Sequence, residues 1–490
     1  MSVNSMDEIL FSNNQQHLLN FWKDLSEDEQ ESFLCQLETI NFKEANHVFN
    51  RAQSYIFEGI QKLDDHLKPV PPHKFEAELE IDAAVLDKYY VEGLKQISKG
   101  RVGVILLAGG QGSRLGVTYP KGMFPIDLPS GKTLFQIQAE RIKRIQKVAE
   151  EKFGKVGKIC WFIMTSQATH ESTEHYLEKH SYFGLNKEDV VLFQQGLLPC
   201  FSFDGKIILD EKHSVALAPD GNGGIYKALR KNKILEFMRK REIKYVHVHS
   251  VDNILVKVAD PSFIGYCVKK GADCGAKVIP KETPNEALGV VCEVDGKIQV
   301  VEYSEITDKT ASLRDEDGNL VFRAGSICNH FFTTDFLEKA ANLYEKELKP
   351  HVAKKKIPYI DENGKKIQPS IPNGVKIEKF IFDVFEFSEN FVTWEVPRNA
   401  EFSPLKNCEN VHKDCPSTCR RDLFELHKHY VKQAGGIVSC VELEISPLLS
   451  YAGENLEDRV KGKVFDTRTV LFSDEETVYN GLNGFKKCII

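Results

Sequence analysis

Residues 101–122 read RVGVILLAGGQGSRLGVTYPKG. Val102 to Leu107 form a short, continuous apolar run, the pattern of a buried strand. The run ends in Gly109, Gly110 and Gly112. Glycine admits positive φ and lets backbone N–H groups approach phosphate oxygens closely. Arg114 and Lys121 follow, about where a polyphosphate needs its charge neutralised. Two standard nucleotide-loop fingerprints fail here. GxGxxG fits at Gly110 and Gly112 but finds Leu115 at its third glycine, and a Walker loop ending in Gly131-Lys132-Thr133 would need glycine at Ile126. Taken alone, the stretch is a weak signal, and an ordinary βα turn is its alternative reading.

Outward from this loop, buried strands alternate with helices. TLFQIQAERIKRIQKVAEE is a helix with Leu134, Ile137, Ile142, Ile145 and Ala149 on one side. KICWFIMTS, DVVLFQQG, YVHVHSVDN and DCGAKVIP read as strands, and GGIYKALRKNKILEFMRKR and DPSFIGYCVKKG as helices, the second with proline in its first turn. SFDGKIIL and CEVDGKIQVV are hairpins turning at Asp-Gly. The alternation predicts an α/β fold: a doubly wound, mostly parallel sheet. Residues 1–97 read as a helical N-terminal region, 98–385 as the α/β domain that carries the glycine loop, and 386–490, where NFVTWEVPR and GGIVSCVELEISPL return to strand, as a small β-containing C-terminal domain.

The 490 residues carry 64 basic and 71 acidic side chains, a net charge of −7, with no basic block. Nucleic acid is therefore an unsuitable partner. With 42% hydrophobic and 28% charged residues the chain has ordinary globular composition, and no apolar run approaches the roughly 18 residues of a membrane span. The opening MSVNSMDEIL has no basic and apolar secretory pattern. Most of the twelve cysteines stand alone in apolar runs, which points to a reduced, cytoplasmic setting. Cys408, His412, Cys415 and Cys419 cluster in one loop but lack paired zinc knuckles. His247 and His249, two apart, read as side chains packed on one sheet face.

LAGGQGSRLG followed by YPKG resembles the signature of sugar-1-phosphate nucleotidyltransferases. GKTLFQIQAERI, FQQG, APDGNGG, SVDN, GVVCEV, VEYSEI, NHFF, EKFIFDVF and EFSPLKN follow in the order found in the eukaryotic UDP-N-acetylglucosamine pyrophosphorylase family. The resemblance is strong over residues 100 to 410.

The resemblance implies a site. Backbone at Leu107, Ala108, Gly109 and Gly110 would line the nucleotide. Gln195 and Gly221 would read the base, and an amide can pair with both edges of uracil. Asn222, Gly289, Glu302 and Ser326 would hold the sugar. Ser326 stands where the family commonly has asparagine. Phe380 and Phe382 would flank the acetamido group, although core packing explains them equally well. Lys376 and Lys406 would reach the phosphates, although each alone reads as a solvated lysine. Asp252, at a strand's carboxyl end, suits Mg²⁺ or Mn²⁺ held on phosphate oxygens. Arg114 and Lys121 would stabilise pyrophosphate leaving UTP. The expected partners are UTP and a sugar-1-phosphate, with N-acetylglucosamine-1-phosphate foremost and N-acetylgalactosamine-1-phosphate beside it. Alternatives at this stage are a UDP-glucose or broad UDP-sugar enzyme, a kinase built on the GKT, and a sugar-nucleotide sensor without turnover. Lys406, near the start of the C-terminal stretch, is expected to be delivered by closure of that domain.

Overall fold

The run that opens the glycine loop is the strand Val102–Leu107, buried at every position. In the computed structural model, which describes residues 3–57 and 62–476, it lies within a large mixed sheet. The strands of its main path, in chain order, are β1 Phe75–Ala77, β2 Val102–Leu107, β3 Cys160–Thr165, β4 Val190–Gln194, β5 Tyr245–Ser250, β6 Cys274–Pro280, β7 Ala324–Thr333 and β8 Phe391–Glu395. Across the sheet they run β1-β8-β6-β7-β5-β2-β3-β4. β5, β2, β3 and β4 are parallel neighbours, as are β1, β8 and β6. β7 is antiparallel to β6 and β5 and joins the two groups.

Both sheet faces are covered, as the near-continuous apolar strands require. On β3, Trp161 meets Phe135 of the helix Leu134–Phe153, whereas Phe162 meets Phe237 of the helix Ile234–Lys240. Successive strand residues point to opposite faces, so this pair shows that the sheet is wound on both sides. The helices Ala83–Ser98 and Pro261–Lys270 pack unusually close. A methyl group on Gly265 would lie 1.8 Å from the Tyr89 carbonyl oxygen, and one on Gly93 2.0 Å from that of Pro261.

The chain divides into two compact units; both have segments on either side of the boundary read near residue 97, and the second also spans the one near 385. The first comprises Met1–Leu63, Gln195–Ala228 and Ala341–Val384; the second Asp64–Gln194, Leu229–Ala340 and Phe385–Ile490. In the first, the helices Val3–Ser12, Glu27–Glu38 and Phe42–Phe57 bury Met6, Leu10, Phe33, Leu37, Phe49 and Ile56. They pack with Phe201, Val375 and Ile377, which lie on the sheet formed by His351–Lys355, Gly374–Glu378 and Phe201–Ser202. The remainder of the helical N-terminal region, Ala83–Ser98, packs in the second unit.

The C-terminal stretch also departs from its reading as a separate domain. NFVTWEVPR supplies β8, inserted between β1 and β6. The helix Pro416–Gln433 shares a core with Leu115, Ile126, Leu134 and Ile254 through Leu423 and Phe424. Ile437–Val438 and Leu443–Ile445 then form small parallel pairs with later strands over a core of their own. The expected helix from Gly223 to Arg241 is two helices, Ile225–Lys231 and Ile234–Lys240, separated by Lys233 at φ 57°. No described helix is long and apolar enough to cross a membrane. The described cysteines are free thiols. Cys488 lies outside the described residues.

Candidate active site

β2 and β5 are adjacent and parallel, so the loops at their carboxyl ends emerge side by side. The Val251 amide bonds Leu107 O at 3.2 Å, and the Ala108 amide bonds Met164 O at 2.8 Å. The glycine loop then doubles back. Gln111 bridges Pro120, the Gly112 amide bonds Tyr119 O at 3.1 Å, and the Lys121 amide bonds Gly110 O at 3.4 Å. Lys121 therefore returns beside the loop that precedes it. A side chain at Gly110 would meet nothing within 4 Å, so the loop backbone faces open space there.

Lys121 Nζ donates to the Leu405 carbonyl at 3.0 Å and stands 3.9 Å from Asp252 Oδ2. Burial pushes its ammonium below the ordinary lysine value. Asp252 opposes that shift, while the positive charges of Arg114 and Lys406 add to it. These four side chains, separated by up to 292 residues in sequence (114 to 406), thus share one electrostatic neighbourhood. Asp252 lies two residues beyond β5, and its carbonyl accepts from the Leu405 amide at 2.9 Å. Just before Lys406, residues 403–405 pair with residues 252–254. No group of three His, Cys, Asp or Glu side chains among the described residues could hold a metal by itself. The Asp252 side chain, 19% exposed, supplies a single hard carboxylate, a donor set that suits Mg²⁺, which keeps water and takes substrate phosphate oxygens as further ligands.

Gly289, Glu302 and Ser326 also converge in the second unit. A methyl on Gly289 would lie 3.1 Å from Glu302 Oε1, and the Gly289 carbonyl accepts from the Ser326 amide at 2.8 Å. The hairpin Val290–Val294/Lys297–Val301 between them turns at Asp295 and Gly296, both at positive φ, as its Asp-Gly predicts. Beside Ser326, β7 is bulged: its register against β6 shifts between Ala276 and Val278, and Cys328 adopts φ 52°. Bulges re-aim side chains next to functional sites. The left-handed position itself is a cysteine, which does not announce the bulge in the sequence.

The first unit gathers the other expected residues. Gln195 follows β4 and is half-buried. The Asp220 carboxylate fills the space beside Gly196 and Gly224, 2.4 and 1.9 Å from where their methyls would be. Burial raises it to about 6. Gly221 requires its glycine, with φ 83° and the Lys379 carbonyl 2.3 Å from a methyl position. Asn222 Oδ1 accepts from the Ile381 amide at 3.0 Å. Lys376 is half-buried on the strand Gly374–Glu378. Phe380 and Phe382 form a half-buried aromatic pair 5.2 Å apart. Behind it lies a pair that the sequence did not announce: His351 stacks on Phe380 at 3.9 Å and meets both oxygens of Asp383 at 3.0 Å.

Other motifs resolve structurally. Lys132 of the GKT is buried, and its Nζ bonds Glu140 at 2.6 Å, Ser446 at 2.8 Å and Glu476 at 2.5 Å. Its donors are committed to protein acceptors, which removes the basis for a kinase loop. His247 is buried between Asn329 Oδ1 at 2.7 Å and the Ala259 amide at 3.1 Å, with His249 on the same face. Cys419 is buried and donates to Ser403 O at 3.7 Å, while the Cys415 sulfur lies 3.4 Å from Ser417 Oγ.

A parallel α/β sheet with a glycine-rich loop and clustered cations at its carboxyl edge is the frame of a nucleotide-binding protein. The chain belongs to the UTP–glucose-1-phosphate uridylyltransferase family, whose profile matches residues 46–444. Its similarity to proteins with more particular names extends over nearly the whole chain. The UDP-N-acetylhexosamine pyrophosphorylase-like protein 1 of Xenopus tropicalis is 50% identical over 472 residues, 92% of each chain. The UDP-N-acetylglucosamine pyrophosphorylase of Saccharomyces cerevisiae is 42% identical, covering 92% of this chain and 96% of its own. The crystal structure of the uridine diphosphate N-acetylglucosamine pyrophosphorylase from Trypanosoma brucei superposes with a TM-score of 0.82 at 30% identity, covering 100% of this chain and 98% of that one.

Proposed function

We propose that the protein is a cytoplasmic uridylyltransferase. It makes UDP-N-acetylglucosamine and pyrophosphate from UTP and N-acetylglucosamine-1-phosphate, with N-acetylgalactosamine-1-phosphate as a second substrate. The observation that carries this reading is the cationic cluster of Arg114, Lys121 and Lys406 about Asp252, beside the glycine loop. The choice of an N-acetylated sugar is supported by the names of the long, similar relatives. Free, mostly buried thiols suit a reducing cytoplasm.

The reaction follows from charge. A phosphate oxygen of the sugar phosphate attacks the α-phosphorus of UTP, the bond from that phosphorus to its bridging oxygen breaks, and pyrophosphate leaves with the electron pair. The nucleophile is already anionic at neutral pH, so no general base is required. One phosphoanhydride replaces another, and the reaction is freely reversible. The protein must bring two polyanions together in line and stabilise the departing one. Arg114 and Lys121 neutralise the pyrophosphate. Lys406 and Lys376 hold the sugar phosphate and α-phosphate against their mutual repulsion. Leu107, Ala108, Gly109 and Gly110 present backbone to the nucleotide, and Gln195 and Gly221 read uracil. Asn222, Gly289, Glu302 and Ser326 bond the sugar, while Phe380 and Phe382 pack on its acetamido group. Asp252 would hold Mg²⁺ or Mn²⁺, which would supply further neutralisation of phosphate charge.

The test is incubation with UTP, Mg²⁺ and each of three sugar phosphates, following pyrophosphate and UDP-sugar. UDP-N-acetylglucosamine is expected as the main product. Its absence refutes the reading. The family description favours a second reading, in which glucose-1-phosphate is the best substrate, and the same comparison decides between them.

A further inference from the structure

The stretch Glu401–Lys406 is anchored at its start by charges that the proposed chemistry does not use. Glu401 is fully buried. Its Oε2 accepts from Lys277 Nζ at 2.8 Å, and its Oε1 lies 3.1 Å from Lys257 Nζ. Lys277, also fully buried, donates to Asp260 Oδ2 at 2.5 Å as well. Asp260 in turn caps the helix Pro261–Lys270. Inside the second unit, where an unpaired charge would be strongly unfavourable, the two ammonium groups thus meet the Glu401 and Asp260 carboxylates, and Glu78 supplies a third, its Oε1 3.9 Å from Lys257 Nζ.

From this anchor the backbone runs antiparallel to the segment that carries Asp252. The Glu401 carbonyl accepts from Asn253 Nδ2 at 2.7 Å, and Asn253 Oδ1 accepts from the Ser403 amide at 3.0 Å. The Ile254 amide donates to Ser403 O at 3.2 Å, and the Leu405 amide to Asp252 O at 2.9 Å. Lys121 then bonds Leu405 O. Three candidate phosphate-site residues, Lys121, Asp252 and Lys406, are therefore joined through residues 401–405.

We propose that Glu401 is a positioning residue: held between Lys277 and Lys257, it fixes residues 402–406 against residues 252–254 and so sets the spacing of Lys406, Lys121 and Asp252. This rests on the uridylyltransferase reading for its catalytic consequence. A purely stabilising pair would alter how much protein is folded but leave each folded molecule at full rate. A positioning pair alters the rate of the folded molecules, because a misplacement of about 1 Å costs up to about a hundredfold.

The experiment compares the full-length protein with Glu401→Gln and Glu401→Asp, below their unfolding temperatures. Hydrogen exchange in the peptide spanning residues 402–407 and turnover per folded molecule are both measured. Glu401→Gln is expected to speed exchange there and to lower kcat about ten- to a hundredfold, with KM for UTP changing much less. Glu401→Asp, which keeps the charge, should recover part of both. If Glu401→Gln does not fold, Asn253→Ala breaks the same pairing without stranding a buried charge and is expected to act likewise. Unchanged exchange, or faster exchange with wild-type kcat, overturns the inference. Wild-type turnover is the separate control: its absence refutes the uridylyltransferase reading, while the exchange comparison still judges the anchor.

Discussion

Replacing Lys121 by methionine keeps most of the aliphatic stem and deletes the ammonium, which separates two consequences of very different size. In the folded protein Nζ donates to Leu405 O at 3.0 Å and stands 3.9 Å from Asp252. Losing that hydrogen bond costs about 1 kcal/mol. The partly exposed ion pair adds at most about 1 kcal/mol, and relief of the ammonium's burial offsets part of it. The expected loss of stability is thus about 1–2 kcal/mol. The catalytic loss is larger. Removing one positioned donor from developing negative charge costs about 3–4 kcal/mol, a 10²- to 10³-fold drop in kcat. Urea denaturation gives the first quantity. Pyrophosphate release at saturating UTP and N-acetylglucosamine-1-phosphate gives the second. A variant that is destabilised as expected yet turns over at the wild-type rate would refute the leaving-group role and leave Lys121 a structural tie to Leu405.

Four further outcomes are expected. Because burial lowers Lys121, the alkaline limb of the pH–rate profile should begin below the ordinary lysine range, and Lys406→Met, by removing a like charge, should move it upward. Burial lowers His249 to about 4 and His330 and His427 to about 3; all three stay neutral when folded but protonate when unfolded, so stability should be level above pH ~7 and fall as pH drops from 6.5 toward 4, by up to about 1.4 kcal/mol per histidine per pH unit in denaturation series. Lys132→Met strands buried Glu140 and should cost about 3–5 kcal/mol, while the folded fraction keeps its KM for UTP; a selective rise in that KM would restore the GKT as a phosphate loop. Ser326→Asn should change the ratio of kcat/KM between N-acetylglucosamine- and N-acetylgalactosamine-1-phosphate, and an unchanged ratio removes Ser326 from sugar selection.

The sequence was legible where local pattern governs. The helix Leu134–Phe153 buries the five residues that its periodicity predicts, and the strand opening the glycine loop is buried throughout. Gly221 was named through the resemblance, and its positive φ explains why that position is glycine. Distant pairing was not legible. Nothing in NFVTWEVPR says that it inserts between β1 and β6 rather than starting a new sheet, because a buried strand looks the same whichever neighbours it has. The break at Lys233 lacks the glycine or proline that usually marks one. Lys132 finds two of its acceptors more than 300 residues away, so its commitment to them could not be read beside the GKT. Glu401 was in plain view within EFSPLKN, but an isolated glutamate reads as a solvated charge until its buried lysines are seen.

The place of β8 has a consequence for synthesis on the ribosome. β1 is made early, yet its partner in the sheet, residues 391–395, is made more than 300 residues later. Until then the outer edge of β6 also lacks a neighbour, and unpaired edges invite pairing with other chains. The first compact unit likewise waits for residues 341–384 before its strand Gly374–Glu378 can receive the N-terminal helices. Nascent chains shorter than about 395 residues should therefore depend on chaperones to shield both edges. Premature termination just upstream of β8 should yield aggregated protein rather than a soluble fragment lacking only its C-terminal part.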